Sequence, residues 1–272
     1  MNSDVRSRMD NYLRRQSSAV SGWLAPESAE AICELALSQV ESGLRAGVGE
    51  IGIHHGKLFL LLYLSLQDGE RAFAVDVFDE QEFNVDNSGH GDREIFLRNL
   101  RQVGGNEADV TVISADSCSV SADTLRSATG QLRLMSVDGG HTEEITANDL
   151  RLAEELLLDD GILILDDMFN ERWPAVAAGT YRFLLEPGRS LRPFAISPNK
   201  TYFCKSSDAA KKYRSTLATR FPDLRIGEAS VLGSDVLILG RRSIVNRIRN
   251  APIVRDNPAL YRRLSRLRQR LS

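Results

Sequence analysis

The sequence predicts an α/β protein built on a doubly wound, mostly parallel sheet of seven strands. Short apolar runs alternate with amphipathic segments along most of the 272 residues, which is the pattern of consecutive βαβ units. The runs at 132–137 and 162–165 are mainly apolar and break abruptly into carboxylates, as expected for strands covered on both faces. Right-handed crossovers then place the carboxyl ends of the parallel strands along one edge of the sheet.

The elements follow one another in a regular order. A helix begins at Pro26-Glu27-Ser28 and ends near Gly43 and Gly47, with apolar residues on one face. The predicted strands are a short one ending in GEIGI at 49–53, then 71–77, 110–114, 132–137, 162–165, 201–205 and 235–240. The predicted helices between them cover 57–66, 92–103, 143–158 and 207–220.

Length and composition predict one soluble domain with additions at both ends. We expect an N-terminal helical extension at 1–47, a main domain at 48–240 and a tail at 241–272. Hydrophobic residues make up 42% and charged residues 26%, which excludes a disordered or fibrous class. The longest apolar run, 58–64, is too short to span a bilayer, and the three cysteines have no CxxC spacing. These features predict a cytoplasmic protein without a membrane span, a zinc site or a disulfide framework.

The tail at 241–272 is strongly basic, with ten arginines and one acidic residue, Asp256. A basic segment can bind nucleic acid. Its leucines, however, recur at helical spacing, which favours an amphipathic helix that docks on its own domain or on a second subunit. The leucines are Leu260, Leu264, Leu267 and Leu271. We therefore expect a homo-oligomer and no nucleic-acid partner.

The loop after the first strand indicates a nucleotide-like cofactor. Gly52 and Gly56 allow a tight turn and close approach of a ligand, and the following helix offers its N-terminal amides. Asp76 ends the second strand, twenty residues beyond Gly56, where a carboxylate can bind ribose hydroxyls. The G-x-G-x-x-G fingerprint of nicotinamide cofactors is absent from the sequence, which disfavours an NAD-dependent oxidoreductase.

Acidic residues follow the fourth and fifth predicted strands. Asp138 follows one strand, and Asp166 and Asp167 follow the next. Three converging carboxylates repel one another without a counter-charge, so a divalent ion is expected, and oxygen ligands favour Mg²⁺. The alternative is that these aspartates cap the following segments or shape a turn. His141, three residues beyond Asp138, is a candidate general base.

These residues resemble class I S-adenosylmethionine-dependent methyltransferases, whose motif I is similar to the E-x-G-x-x-x-G at Glu50. Over 48–182 the chain looks like the magnesium-dependent sugar O-methyltransferases of macrolide and aminocoumarin biosynthesis. The resemblance implies that Asp138, Asp166 and Asp167 bind Mg²⁺, that His141 is the base, and that 76–92 contains a cofactor lid. It also implies contacts to S-adenosylmethionine from Glu50, Gly52, His54, Gly56, Asp76, Phe78, Asp116 and Ser117. Asp116 could equally be a helix N-cap.

The expected function is metal-dependent transfer of a methyl group to a hydroxyl of a sugar or glycosylated metabolite. Asp138 would hold the metal at the reacting hydroxyl, and His141 would take its proton. A catechol-type phenol methyltransferase is the first alternative, and a NAD-dependent oxidoreductase or a non-catalytic nucleic-acid binder the others. Part of the acceptor pocket is expected from 173–198, with Tyr181, Phe183, Arg189 and Phe194, although the aromatic residues there could simply be core.

Overall fold

A computed structural model describes residues 2–78 and 89–241, and the side chains of residues 4–78 and 89–241. The described strands form one nine-stranded sheet in the order β3-β2-β1-β4-β5-β7-β6-β9-β8. The strands are β1 Gly47–Ile51, β2 Ala72–Asp76, β3 Val110–Ser114, β4 Leu132–Val137, β5 Leu157–Asp166, β6 Arg192–Ser197, β7 Lys200–Cys204, β8 Arg225–Val231 and β9 Ser234–Leu239. The α/β class is confirmed, but the predicted count of seven strands was wrong.

Eight α-helices cover both faces of the sheet in the described part of the chain. They are α1 Asn2–Asn11, α2 Pro26–Glu41, α3 Lys57–Tyr63, α4 Arg93–Gln102, α5 Ala122–Thr129, α6 Glu143–Leu156, α7 Pro174–Leu184 and α8 Ser207–Arg220. Two buried apolar clusters pack on opposite sides of the sheet. This arrangement is the doubly wound architecture that the alternating sequence pattern predicts.

The five strands β3, β2, β1, β4 and β5 pair in parallel, so their carboxyl ends meet at one edge. The strand order reverses direction at β1, where β2 lies on one side and β4 on the other. Loops at such a switch point leave a crevice for a ligand. The fold therefore positions the residues after β1, β2, β4 and β5 around one common space.

The two strands missing from the predicted set, β6 and β8, lie in the second half of the sheet. β7 pairs antiparallel with β5 on one side and with β6 on the other, and β8 pairs antiparallel with β9. β8 is mostly exposed at the sheet edge, so its sequence RIGEASV lacks an apolar face to reveal it. Phe194 of β6 and Phe183 of α7 are core residues, 1% and 0% exposed, so their predicted place in an acceptor wall was wrong.

Residues 2–41 pack into the larger of the two apolar clusters. Met9, Tyr12, Ile32 and Leu35 are 0% exposed, and α2 lies against α8. At the end of the described chain, Arg241 forms a 2.8 Å ion pair with Glu27 of α2. The boundaries 1–47, 48–240 and 241–272 stay predictions, and the amphipathic tail lies outside the described residues from 242 onward.

A buried ion pair ties the amino end of β4 to the turn before β2. The guanidinium of Arg133, 0% exposed, lies 3.1 Å from a carboxylate oxygen of Glu70. The same guanidinium donates to the backbone oxygen and hydroxyl of Ser65. A charge buried this deeply requires such a complete set of partners.

None of the described helices is long and apolar enough to cross a membrane.

Candidate active site

A cleft of about 450 Å³ opens at the carboxyl ends of the parallel strands. Nine of the residues predicted for the site line it: Gly52, His54, Asp76, Asp116, Ser117, Asp138, His141, Asp166 and Asp167. The other three, Glu50, Gly56 and Phe78, do not line it. The topology therefore brings together residues that are more than a hundred positions apart in the chain.

Gly52 lets the loop after β1 approach the loop after β4. Its φ of +85° lies in the left-handed region, and a Cβ there would come within 1.8 Å of the backbone oxygen of Asp138. Only glycine fits both requirements. Gly56, also with positive φ, is instead the N-cap of α3, where it packs against Phe96. Gly56 therefore shapes the loop from outside the cleft.

Asp76 organises the cofactor loop through its carboxylate. One oxygen accepts the backbone amides of Ile53 at 2.6 Å and His54 at 2.7 Å, and the other accepts that of Phe78 at 2.6 Å. The oxygen that accepts only the Phe78 amide has a second lone pair, so the side chain can still accept one bond from a ligand in the cleft. The residue thus joins β1 and β2 at the cleft floor.

The sequence left open whether Asp116 contacts the cofactor or is a helix N-cap, and its position in the structure is compatible with both. Its carboxylate accepts the amide of Cys118 at 3.0 Å, so it is the N-cap of a 3₁₀ turn at Ser117–Ser119. It also lines the cleft together with Ser117. The capping bond does not remove the side chain from the cavity wall.

Glu50 and Phe78 support the loop from below. Glu50 is 2% exposed within β1, and burial, partly offset by the charge of Lys200, raises its pKa to about 8. Phe78 is 1% exposed, and its ring stacks on Phe96 with centroids 6.2 Å apart. Residues 79–88 of the predicted lid lie outside the described residues, whereas Gly89 and Gly91 line the cleft.

Asp138, His141 and Asp167 form a compact cluster in the same cleft. One candidate ligand atom from each lies within 4.8 Å of the others. Asp138 follows β4, Asp167 follows β5, and His141 immediately precedes Thr142, the N-cap of α6. Burial and the neighbouring charge of Asp166 raise the pKa of Asp138. Two carboxylates and an imidazole this close are a donor set that fits a divalent cation.

Asp167 holds the imidazole of His141. Its backbone is left-handed, with φ of +57°, which ends β5 and turns the chain away from the sheet. Its carboxylate lies 3.4 Å from Nε2 of His141 and accepts a 2.8 Å bond from the Asn170 amide. Burial tends to raise the pKa of Asp167, but the bonds from His141 and Asn170 outweigh it and lower the pKa. The His141 ring also stacks on Trp173, 4.2 Å between centroids.

Asp166 has a different environment from Asp167. Its carboxylate lies 2.7 Å from Nζ of Lys200 and accepts the backbone amide of Asp167 at 3.0 Å. Lys200 begins β7 directly opposite Asp166 in the antiparallel register. Lys200 was not predicted as a site residue, although a lysine at the start of the otherwise apolar KTYFC strand indicates a charge that needs a buried partner.

The cleft has a further wall that was not predicted, formed by the N-terminal segment. Trp23 lines the cleft and lies 5.7 Å from His54, ring to ring. Burial and the adjacent His55 lower the pKa of His54. Lys57 fixes the segment by donating to the backbone oxygen of Gly22 at 3.1 Å. Of the predicted acceptor segment, Trp173 lines the cleft, and Asn170, Arg172 and Asn199 line it too.

Comparisons with known proteins agree with this geometry. Residues 50–168 match a family model described as a methyltransferase domain. The solved O-methyltransferase NovP superposes with a TM-score of 0.55 at 12% identity, covering 76% of this chain and 100% of that one.

Two further solved structures superpose less closely. The TDP-rhamnose 3'-O-methyltransferase CalS11 of calicheamicin biosynthesis has a TM-score of 0.46 at 14% identity, covering 74% of this chain and 93% of that one. The O-methyltransferase TomG from Streptomyces achromogenes has a TM-score of 0.49 at 15% identity, covering 75% and 90%. A comparison with curated proteins found no match. The sheet order and the superposition with NovP show a Rossmann-like methyltransferase fold, and residues 50–168 match the methyltransferase-domain family model.

Proposed function

We propose that this protein is a divalent-metal-dependent O-methyltransferase that methylates a hydroxyl of a sugar or glycosylated metabolite. The observation that carries the proposal is the cluster of Asp138, His141 and Asp167, which lines the same cleft as the cofactor loop at Gly52. A methyl donor and a site for activating a hydroxyl would thereby share one cavity.

The cluster answers the main chemical difficulty of such an acceptor. An alcohol hydroxyl is almost fully protonated at neutral pH and is then a weak nucleophile. S-adenosylmethionine, when bound, supplies the methyl group as an electrophile. Asp138 and Asp167, with Asp166 beside them, would hold a divalent ion, which would supply Lewis acidity to an acceptor hydroxyl. Cation and base together would make the oxygen reactive.

His141 is the proposed proton acceptor. An imidazole titrates near neutral pH, so its neutral form can take a hydroxyl proton. Asp167, 3.4 Å from Nε2, stabilises the imidazolium that results, and stacking on Trp173 restricts the ring's orientation. The competing role for His141 is that of a third metal ligand, because its Nε2 is part of the same cluster.

The cleft walls favour a sugar over a simple catechol. Asn170 and Asn199 offer amides for hydroxyl recognition, and Trp23 and Trp173 offer flat apolar faces. NovP, which shares the fold, is an O-methyltransferase. Assembly through 241–272 and a cytoplasmic location stay predictions.

Metal removal tests the proposal directly. Asp138→Ala and Asp167→Ala should abolish methyl transfer while S-adenosylhomocysteine still binds with affinity within about threefold of the unchanged protein, because neither side chain belongs to the cofactor loop. The unchanged protein should lose activity in EDTA and regain it with Mg²⁺. Full activity in EDTA with any hydroxylated acceptor would contradict the metal mechanism.

A further inference from the structure

Lys200 is a buried cation between Asp166 and Asp138, two of the three carboxylates that the sequence predicts as metal ligands. Its Nζ lies 2.7 Å from Asp166 and 3.6 Å from Asp138, and its side chain is 2% exposed. The Asp166 side chain is 9% exposed and that of Asp138 is 30% exposed, and both line the cleft. The lysine therefore approaches the acidic group from the protein interior, and solvent enters from the other side.

The position of Lys200 is fixed by the surrounding fold. The β5–β7 register sets it opposite Asp166, and Asn199, with φ of +62°, makes the turn before it. A buried chain of hydroxyls then ties this turn to α2. Ser28 bonds to Ser197 at 2.8 Å, and Ser197 bonds to Tyr202 at 2.7 Å. Lys200 cannot move away from Asp166 without breaking this packing.

Lys200 determines the net charge of the acidic site. Asp138, Asp166 and Asp167 with Lys200 have a formal charge of −2 when the carboxylates are ionised, which one divalent ion neutralises. Both oxygens of Asp166 already have partners within the protein, namely Lys200 and the amide of Asp167. The group of ligand atoms within 4.8 Å contains Asp138, His141 and Asp167 but not Asp166.

We infer that Lys200 is a positioning residue that holds Asp166 in an ion pair, so that the divalent ion is bound by Asp138 and Asp167 without Asp166. The inference rests on the proposed metal dependence and departs from the ligand set that the sequence implies. Lys200 sets the charge of the site and thereby limits its affinity for the ion. Asp166 acts through Lys200 and the Asp167 amide.

A charge-matched pair of variants tests the inference by calorimetric titration with Mg²⁺ alone. Lys200→Met leaves the site more negative and should bind Mg²⁺ roughly tenfold more tightly than the unchanged protein. The double variant Asp166→Asn with Lys200→Met restores the formal charge of −2. Its affinity should return to within about threefold of the unchanged protein, because no ligand has been lost.

The alternative role for Asp166 predicts the opposite result. If Asp166 is a metal ligand, the double variant should bind Mg²⁺ at least about tenfold more weakly, and this result would overturn the inference. Lys200→Arg keeps the charge and serves as the control. Should Lys200→Met be too unstable for calorimetric titration, a larger Mg²⁺-induced rise in Tm than in the unchanged protein supports the inference, and an equal or smaller rise overturns it.

The proposed function and the inference fail in different ways. Absence of Mg²⁺ binding by the unchanged protein, together with activity in EDTA, rejects the metal mechanism and with it the inference. Binding by the unchanged protein that is lost in the double variant rejects only the role assigned to Lys200.

Discussion

Replacing the buried Asp149 with asparagine is expected to stabilise the protein at alkaline pH much more than at acidic pH. Asp149 lies in α6 and is 0% exposed. One carboxylate oxygen accepts the Asn148 amide at 3.1 Å, and the other has no hydrogen-bond partner among the described residues. Burial, only partly offset by bonds from Ser117 and Asn148, raises the pKa to about 7 from 3.8.

The size of the effect follows from this shift. A folded-state pKa above the unfolded one means that the proton stabilises the fold. This contribution is complete below about pH 4 and is lost as pH rises through about 7. At about 1.4 kcal/mol per unit, titration of Asp149 lowers the free energy of unfolding by about 2 kcal/mol at pH 5 and about 4 kcal/mol at pH 8, relative to a group that stays protonated in both states. Asparagine has no such dependence, so its advantage should grow by about 2 to 3 kcal/mol across this range.

Urea unfolding of both proteins at pH 5 and pH 8 measures this growth. The comparison of variant with unchanged protein at each pH cancels the titration of all other groups. Asp208→Asn is a suitable control because that side chain is 92% exposed, and its effect should not change with pH. If Asp149→Asn changes the free energy of unfolding equally at both pH values, the argument from burial is refuted.

Three further substitutions test other parts of the structure. Gly52→Ala forces a Cβ to within 1.8 Å of the Asp138 backbone, so S-adenosylhomocysteine affinity should fall at least about tenfold by calorimetry, and unchanged affinity would contradict the close approach of the two loops. His141→Asn should lower kcat by about 10² to 10⁴ with Mg²⁺ affinity unchanged if His141 is the base, whereas a parallel loss of Mg²⁺ affinity would make it a ligand. Glu70→Ala leaves the charge of Arg133 buried without its carboxylate and should cost about 3 to 5 kcal/mol in urea unfolding, where a loss below about 1 kcal/mol would show that water reaches the guanidinium.

The first half of the sheet was predictable because each of its strands is a short, mainly apolar run that can be recognised from its own residues. β2, β3 and β4 differ from the sequence prediction by at most one residue at each end, and α8 matches it at both ends. β5 begins at Leu157, whereas the prediction began it at 162. The prediction was late because Leu157-Leu158-Asp159-Asp160 is also compatible with the end of a helix. β8 was not predicted because its mostly exposed residues show no apolar pattern. β6 was not predicted because it begins with Arg192-Pro193, which is not typical of a strand.

The sequence predicted the residues of the site better than their partners. Strand ends alone place Asp138, Asp166 and Asp167 near one another. They do not reveal that Asp166 faces Lys200 while Asp167 faces His141, because this division depends on the β5–β7 register and on the left-handed backbone of Asp167. Trp23 was missed because its contact with His54 joins distant parts of the chain and leaves no local pattern.

The insertion of β7 between β5 and β6 has a consequence for the order in which the site matures. Asp138 and Asp166 are synthesised before Lys200, and they receive its charge only when the hairpin of β6 and β7 docks on β5. Pairings between distant segments form late in folding. A chain that has folded through β5 alone therefore carries concentrated negative charge at the open sheet edge, and divalent ions should accelerate the docking of the hairpin by screening it.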